Sequence, residues 1–217
     1  MPDETRTVVE LPPIVPVFPL PNTVLFPRTL LPLHIFEPRY RAMVRDIREG
    51  SGLVAIARMV GEGFDRLGTV GRLRDVEPLE DGRFNIVVKG LQRVSMIEID
   101  RDTPYRQVSI EPRPERPGSD DATVVERARL ELLASLSLLL SVAQSSMPVV
   151  LNEDLPFEVV VNKACMGLPV EASVRQRLLD EDELIERHRL LSVYLDSVIE
   201  VVAQSKADGS GGPSTVN

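Results

Sequence analysis

Residues 30–44, Leu30-Leu31-Pro32-Leu33-His34-Ile35-Phe36-Glu37-Pro38-Arg39-Tyr40-Arg41-Ala42-Met43-Val44, constrain the fold more than any other stretch, because they read as a strand running directly into a helix. Leu31, Leu33 and Ile35 alternate with Pro32, His34 and Phe36, leaving one face consistently aliphatic, as a half-buried strand requires. Pro38 falls where the first helical turn begins; its fixed φ suits that position and its missing N–H would have had no partner there. Tyr40, Met43, Val44 and Ile47 then recur at the spacing of an amphipathic helix, and Gly50 and Gly52 offer a left-handed exit. This is packing chemistry, not catalytic chemistry.

The strands around this junction are short and punctuated. Leu11 to Pro21 is interrupted by prolines, which cannot donate to a ladder, so it reads as short edge strands and turns. Leu53 to Val60 is apolar on both faces, a buried strand. Residues 61–68 read as a flexible connection. Thr69 to Glu77 and Arg83 to Lys89 flank Asp81-Gly82, a strong hairpin signal. Gly90 marks a bulge or bend, and Val94–Ile99 and Tyr105–Ile110 supply two more strands. Several short strands and one helix, with turn signals between them, describe a closed or nearly closed β-barrel.

Beyond residue 118 the pattern changes. Glu111-Pro112-Arg113-Pro114-Glu115-Arg116-Pro117-Gly118-Ser119 is stiffened by prolines and charged, a hinge-like segment. The periodicity after it is helical: a capping box at Thr123–Glu126, an apolar face of Val125, Ala128, Leu132, Leu136, Leu139 and Ala143 widened by Leu133, Leu138 and Leu140, and a stop at Pro148. That width predicts a central helix. A helix from Phe157 to Met166 is opened by Asp154 and Pro156, a short one follows over Glu171–Leu179, and the last begins near Asp182 with a seam of Leu184, His188, Leu191, Leu195, Val198 and Val202. The expected organisation is α+β: a barrel over residues 10–118 with one embedded helix, a helical bundle over 119–204 and a disordered tail over 205–217.

Charge divides the same way. Residues 1–118 carry equal numbers of basic and acidic side chains, so the whole net charge of −8 lies after them. A neutral barrel and an acidic bundle disfavour bulk nucleic-acid binding, which requires a basic surface. The single cysteine, Cys165, excludes an internal disulfide framework and fits a reducing compartment. The polar, acidic N-terminus does not read as a signal peptide, and no apolar run approaches membrane-spanning length. The expected location is cytoplasmic.

Chemistry-bearing motifs are sparse. The two histidines, His34 and His188, lack a Gly-x-Ser-x-Gly elbow and read as structural or solvent-exposed. Cys165 has no histidine nearby in sequence and reads as a buried small hydrophobe. No cysteine or histidine spacing suits a metal, and the acidic run Asp180-Glu181-Asp182-Glu183 is assigned to the N-terminus of the last helix. There is no phosphate loop. No catalytic, metal or cofactor site is therefore expected. Recognition surfaces remain. Phe64 sits between glycines where turn chemistry does not need an aromatic; it is either an exposed contact for an extended peptide or a plug for the barrel end. Arg93, Arg101, Arg106, Arg113 and Arg116 are interleaved with carboxylates and read as a solvated mixed-charge face.

Three blocks carry a family resemblance: Phe18-Pro19-Leu20-Pro21, Val24-Leu25-Phe26-Pro27 and Leu31 to Arg41. Together with Leu67-Gly68-Thr69-Val70-Gly71 and Asp81 to Arg93, they resemble, in order, the N-terminal substrate-binding domain of Lon proteases, over about residues 10–204. The resemblance implies a PUA-like barrel followed by a helical bundle, and a role in recognising exposed or unfolded polypeptide or in docking a protein partner. Cereblon carries a similar domain as part of an adaptor. No ATPase phosphate loop or peptidase Ser-Lys dyad accompanies it here, so the expectation is a stand-alone, non-enzymatic recognition protein. Because PUA-like barrels can bind RNA, nucleic-acid binding is the alternative. Two positions depart from the family pattern: Arg28, where glycine is frequent after the proline, and Val94, where phenylalanine is frequent after the arginine. Glu37, Pro38, Arg39 and Tyr40 are read as structural, with Glu37 capping the helix, Arg39 pairing with a carboxylate and Tyr40 locking the helix to the barrel.

Overall fold

A computed structural model describes residues 11–143 and 155–209 of the chain. Pro148 and Asp154, the expected stop and start of neighbouring helices, lie outside the described residues, as do 1–10 and 210–217.

Among the described residues, seven strands and one helix come first: β1 (Ile14–Leu20), β2 (Leu30–Ile35), α1 (Pro38–Glu49), β3 (Leu53–Val60), β4 (Gly63–Phe64), β5 (Leu67–Pro78), β6 (Phe84–Ile99) and β7 (Gln107–Pro112). Four helices follow: α2 (Ala122–Ala143), α3 (Phe157–Gly167), α4 (Ala172–Asp180) and α5 (Leu184–Gly209). The sheet closes on itself. β1 pairs in parallel with β3, β3 antiparallel with β5, and the antiparallel ladders β5–β6, β6–β7 and β7–β1 complete the ring. β2 stands outside that ring, antiparallel to the Phe84–Lys89 half of β6.

Closure explains which residues are apolar. Val15 and Val17, Leu53, Ala55 and Ala57, Val70, Val94 and Met96, and Val108 and Ile110 come from all five ring strands and form one cluster, the barrel interior. The alternate residues Phe18, Val54 and Ile56 belong to a second cluster with Tyr40, Met43, Val44 and Ile47 of α1. β3 is therefore buried on both faces, which is why it carries no alternation.

Three expectations need correction here. The proline-rich lead is one continuous strand, not a set of edge pieces. β1 tolerates Pro16 and Pro19 because it changes partner midway, pairing through Ile14–Pro16 with β7 and through Val17–Leu20 with β3. The connection over 61–68 is built: β4 pairs back on β3, and the Arg58–Asp65 ion pair at 2.7 Å closes the hairpin. Phe84 to Ile99 is a single strand whose register against β5 slips between Gly90 and Gln92, leaving Leu91 as the bulged residue. Gly90 is required there, because a Cβ would stand 2.2 Å from the carbonyl oxygen of Phe26.

In the helical half, α2 is not central. It packs on α5 and α3 through Ala128, Leu132 and Leu136, while Leu130 and Leu138 face solvent. Its cap is Asp121, whose Oδ1 accepts from the Thr123 N–H at 2.8 Å and the Thr123 hydroxyl at 2.7 Å, so the cap lies two residues before the expected one. The last helix runs through Gly209, past the expected end at 204, since nothing between 205 and 208 is a helix breaker. Helices and barrel share one core: Val24, Phe26 and Leu67 pack with Leu178, Leu179, Leu191 and Leu195.

Candidate functional site

β1 and β2 do not pair with each other, and the gap between their C-terminal halves is a cleft of about 340 Å³. One wall is Phe18–Pro21, the other Leu33–Phe36, and Met59 of β3 closes an end. Alternation decides its character. With Leu31 and Ile35 turned inward, Phe36 is thrown outward at the point where β2 becomes α1, and it is 61% exposed. Met59 is 37% exposed, and Leu20 and Leu33 are half-buried. The lining is thus mainly apolar, with His34, Glu37 and Arg39 among it, and open to water, and among the described residues β2 is paired on one side alone, to β6.

The structural motif forms the cleft's rim. Tyr40 is buried and its ring lies 4.2 Å from that of Phe18, so α1 is pinned to β1 beneath the cleft. Arg39 lies over the outer face of Tyr40 at 4.5 Å and pairs with Glu37 at 2.9 Å. Burial raises the Tyr40 phenol pKa, against the opposing charge of Arg39. Glu37 is the N-cap residue by position, but its carboxylate serves Arg39, and the helix start is held by its backbone oxygen, which accepts from the Tyr40 and Arg41 N–H groups. A second tie holds α1 from below: the Tyr105 hydroxyl donates to Asp46 at 2.6 Å, and burial together with that carboxylate pushes the phenol up to about 12. Beyond Arg39, a more polar hollow of about 500 Å³ is bounded by Glu98, Asp100, Arg101 and Arg106.

Phe64 is half-buried and packs against the barrel-interior cluster, with the Arg106 guanidinium 5.8 Å from its ring centre. It is also the direct cross-strand partner of Met59, which places the two side chains on one face of the β3–β4 hairpin. His34 is exposed, with Nδ1 2.8 Å from the Asn85 amide oxygen. His188 is buried edge-on to Phe157 at 5.9 Å, and burial lowers its pKa. Cys165 is fully buried, its thiol pushed up to about 12 by desolvation, which removes the thiolate a nucleophile needs. No group of side chains suited to holding a metal ion occurs among the described residues.

The acidic run and the arginines do something the sequence pattern did not reveal. Arg93 is wholly buried at the junction of barrel and helices, and so is Arg187 of α5. Arg93 donates to the backbone oxygens of Leu179 and Glu181 and pairs with Asp182 at 2.9 Å. Arg187 pairs with Glu115 and donates to the Asn162 amide oxygen and to Glu181 O, both at 2.6 Å. Arg113 reaches Asp182 at 2.7 Å and Arg116 reaches Glu183 at 2.7 Å. The segment read as a hinge is therefore clamped on both sides; of the run 180–183, the carboxylates of Asp182 and Glu183 answer arginines, while that of Glu181 accepts from the Glu183 N–H at the start of α5. Burial, then the neighbouring Arg187, lowers the Arg93 pKa; Arg113 and Arg93 hold the Asp182 carboxyl below its usual range.

This combination, a closed barrel with a strand-to-helix junction on its rim and a helical half clamped to it, has a counterpart. Residues 14–197 match the ATP-dependent protease La (LON) substrate-binding domain. The chain belongs to that family. The Lon protease 2 of Syntrophobacter fumaroxidans is 26% identical over 203 residues, covering 88% of this chain and 25% of that protein. The Lon protease of Dictyoglomus thermophilum is 22% identical over 218 residues, covering 92% and 26%. The chain thus spans about a quarter of the length of these Lon relatives. Among solved structures, the N-terminal domain of the Mycobacterium avium complex Lon protease superposes with a TM-score of 0.70 at 17% identity, covering 84% of this chain and 98% of that one. The Lon N-terminal domain protein of Xanthomonas campestris gives 0.60 at 21%, covering 83% and 97%. The Lon-type fold therefore extends through the helices as well as the barrel. No described helix is long and apolar enough to cross a membrane.

Proposed function

We propose that this LON substrate-binding domain is a non-catalytic recognition module for exposed apolar stretches of polypeptide. The observation that carries this reading is the β1–β2 cleft, where Phe36 and Met59 are left in water beside a strand with one unpaired edge. A folded protein seldom exposes a large aromatic and a flexible thioether side by side without use for them. An extended chain laid along β2 gains backbone hydrogen bonds from its open edge and places alternate side chains in the cleft, the mode of strand addition. Phe64, on the same hairpin face as Met59, extends that surface. The family assignment supports a substrate-binding role, and the client class follows from the apolar lining.

The test is fluorescence anisotropy with a labelled, permanently unfolded, uncharged polypeptide. The native chain is expected to bind it saturably in the tens-of-micromolar range. Phe36→Ser combined with Met59→Ser removes the binding while leaving the unfolding midpoint unchanged, and Phe64→Ala weakens it. Absence of saturable binding by the native chain overturns the reading.

A further inference from the structure

The chain contains only three lysines, Lys89, Lys163 and Lys206, and two of them line the same groove. It lies where β2 begins, at the opposite end of that strand from the apolar cleft, between the barrel and α3. Its volume is about 660 Å³. Arg28 and Arg74 complete the set, so among the described residues four cations from a turn, β5, β6 and α3 converge against one lining carboxylate, Asp75. Glu158 shares Arg28 at 3.4 Å. In a protein of net charge −8, whose helical half holds the entire excess, that is a local inversion of sign.

Two backbone irregularities occur at this groove. Arg28 has φ of +63°, a left-handed conformation that a long side chain adopts at a cost. Arg74 is the extra residue of a bulge, since Leu73 pairs with Val88 and Asp75 with Val87. Bulges re-aim side chains next to sites, and strained residues persist where the surrounding structure holds them for a purpose. Besides Gly167 and buried Thr29, the lining holds two apolar side chains: Leu30, 57% exposed, and half-buried Met166. Among the described residues no aromatic lines the groove, so none of them offers a ring on which a nucleobase could stack.

The geometry points to a second binding site, one that takes a carboxylate-rich polypeptide segment with interspersed aliphatic residues. Its Asp and Glu side chains meet Arg28, Arg74, Lys89 and Lys163, and its aliphatic side chains cover Leu30 and Met166. Guanidinium groups donate paired hydrogen bonds to carboxylates, which suits Arg28 and Arg74 to the role. The site stands independently of the apolar cleft.

The experiment uses the full chain and two labelled peptides, one alternating Leu with Glu and one alternating Leu with Lys, plus a single-stranded RNA oligonucleotide. The acidic peptide is expected to bind, with affinity falling as ionic strength rises from about 0.05 to about 0.5 M, and the basic peptide not to bind. Arg74→Glu with Lys163→Glu is expected to weaken the acidic peptide by at least about tenfold, while leaving the uncharged polypeptide of the cleft test unaffected. Amide shift mapping on the native chain supplies a readout independent of whether the variant folds: the acidic peptide moves the signals of Leu30, Lys163 and Met166. Equal binding of both peptides, preference for the RNA, unchanged affinity in the folded variant, or shifts confined to residues outside the groove each overturns the assignment.

Discussion

Arg93 of β6 and Arg187 of α5 donate to one and the same backbone oxygen, that of Glu181, at 2.9 and 2.6 Å. Two like charges converge on a single acceptor because Glu115 and Asp182 neutralise them, which matters the more because neither guanidinium touches water. Each arginine thereby reports on the other half of the molecule: Arg93 satisfies the loop between α4 and α5, and Arg187 satisfies the strand-to-helix linker.

Removing Arg93 leaves part of the network without donors. Arg93→Met keeps much of the volume but leaves the oxygens of Leu179 and Pro114 without their side-chain donor, while Arg187 still reaches Glu181 O and Arg113 still reaches Asp182. Leaving a buried acceptor without its donor costs about 1–3 kcal/mol for each group, to be read from urea unfolding. Arg116→Met, at an exposed pair, is expected to change stability by less than about 1 kcal/mol. Equal effects at the two positions would mean that the buried clamp does not hold the halves together.

Asp182 gives the clamp a pH dependence. Its folded-state pKa lies below the ordinary carboxylate value because Arg113 donates to it and Arg93 stands beside it. As pH falls, the unfolded chain takes up that proton first, so the stabilisation is complete above about pH 5 and is lost as pH drops through about 4 toward the folded-state value. Asp182→Asn should be less stable than the native chain at neutral pH, with the difference shrinking on acidification. A constant difference between pH 7 and pH 3 in denaturation midpoint refutes the linkage.

Much of this architecture was legible in the sequence, and the exceptions share a cause. The β2–α1 junction, the 81–82 turn and the bulge near Gly90 are local: alternation, a proline at the first helical turn and glycine chemistry announce them. Capping at Asp121 was missed because Thr123 and Glu126 imitate the same pattern two residues later. The continuity of β1 depends on a change of partner between β7 and β3, which no local pattern encodes. Arg93 looked like one of five interspersed arginines, because burial of a guanidinium depends on carbonyls contributed from residues 114, 179 and 181. The cleft was half legible. Phe36 falls on the face of β2 that the alternation turns away from the core, and Met59 joins it only through the fold.

Arg28 occupies the third position of a turn in which the Thr29 N–H returns to the Phe26 oxygen at 3.3 Å and Pro27 holds the second position. Such a turn requires positive φ at Arg28. Relieving the left-handed strain recovers about 1–2 kcal/mol, offset by about 0.5–1 kcal/mol for the greater freedom of glycine in the unfolded chain. Arg28→Gly is therefore expected to leave stability unchanged or raised by up to about 1 kcal/mol, and Arg28→Ala, which keeps the strain, to yield no gain. The same Arg28→Gly chain should bind the acidic peptide more weakly. Gly and Ala variants of equal stability would show that φ is not the controlling quantity.

Tyr40 and Phe36 separate the structural part of the junction from the part that faces outward. Tyr40 is buried on Phe18 and joins α1 to the barrel, whereas Phe36, four residues earlier, makes most of its surface available to water. Tyr40→Ala empties a site between helix and strand and should destabilise by about 3–5 kcal/mol, the range for deleting a buried aromatic. Tyr40→Phe retains the ring and should cost less than about 1 kcal/mol. Phe36→Ser should leave the thermal midpoint within error, since an exposed aromatic contributes little to the core. The decisive comparison is stability against polypeptide binding in the same three variants. A stable Tyr40→Ala chain that has lost binding would move Tyr40 from the scaffold into the recognition surface and would shift the cleft's centre toward the polar hollow beyond Arg39.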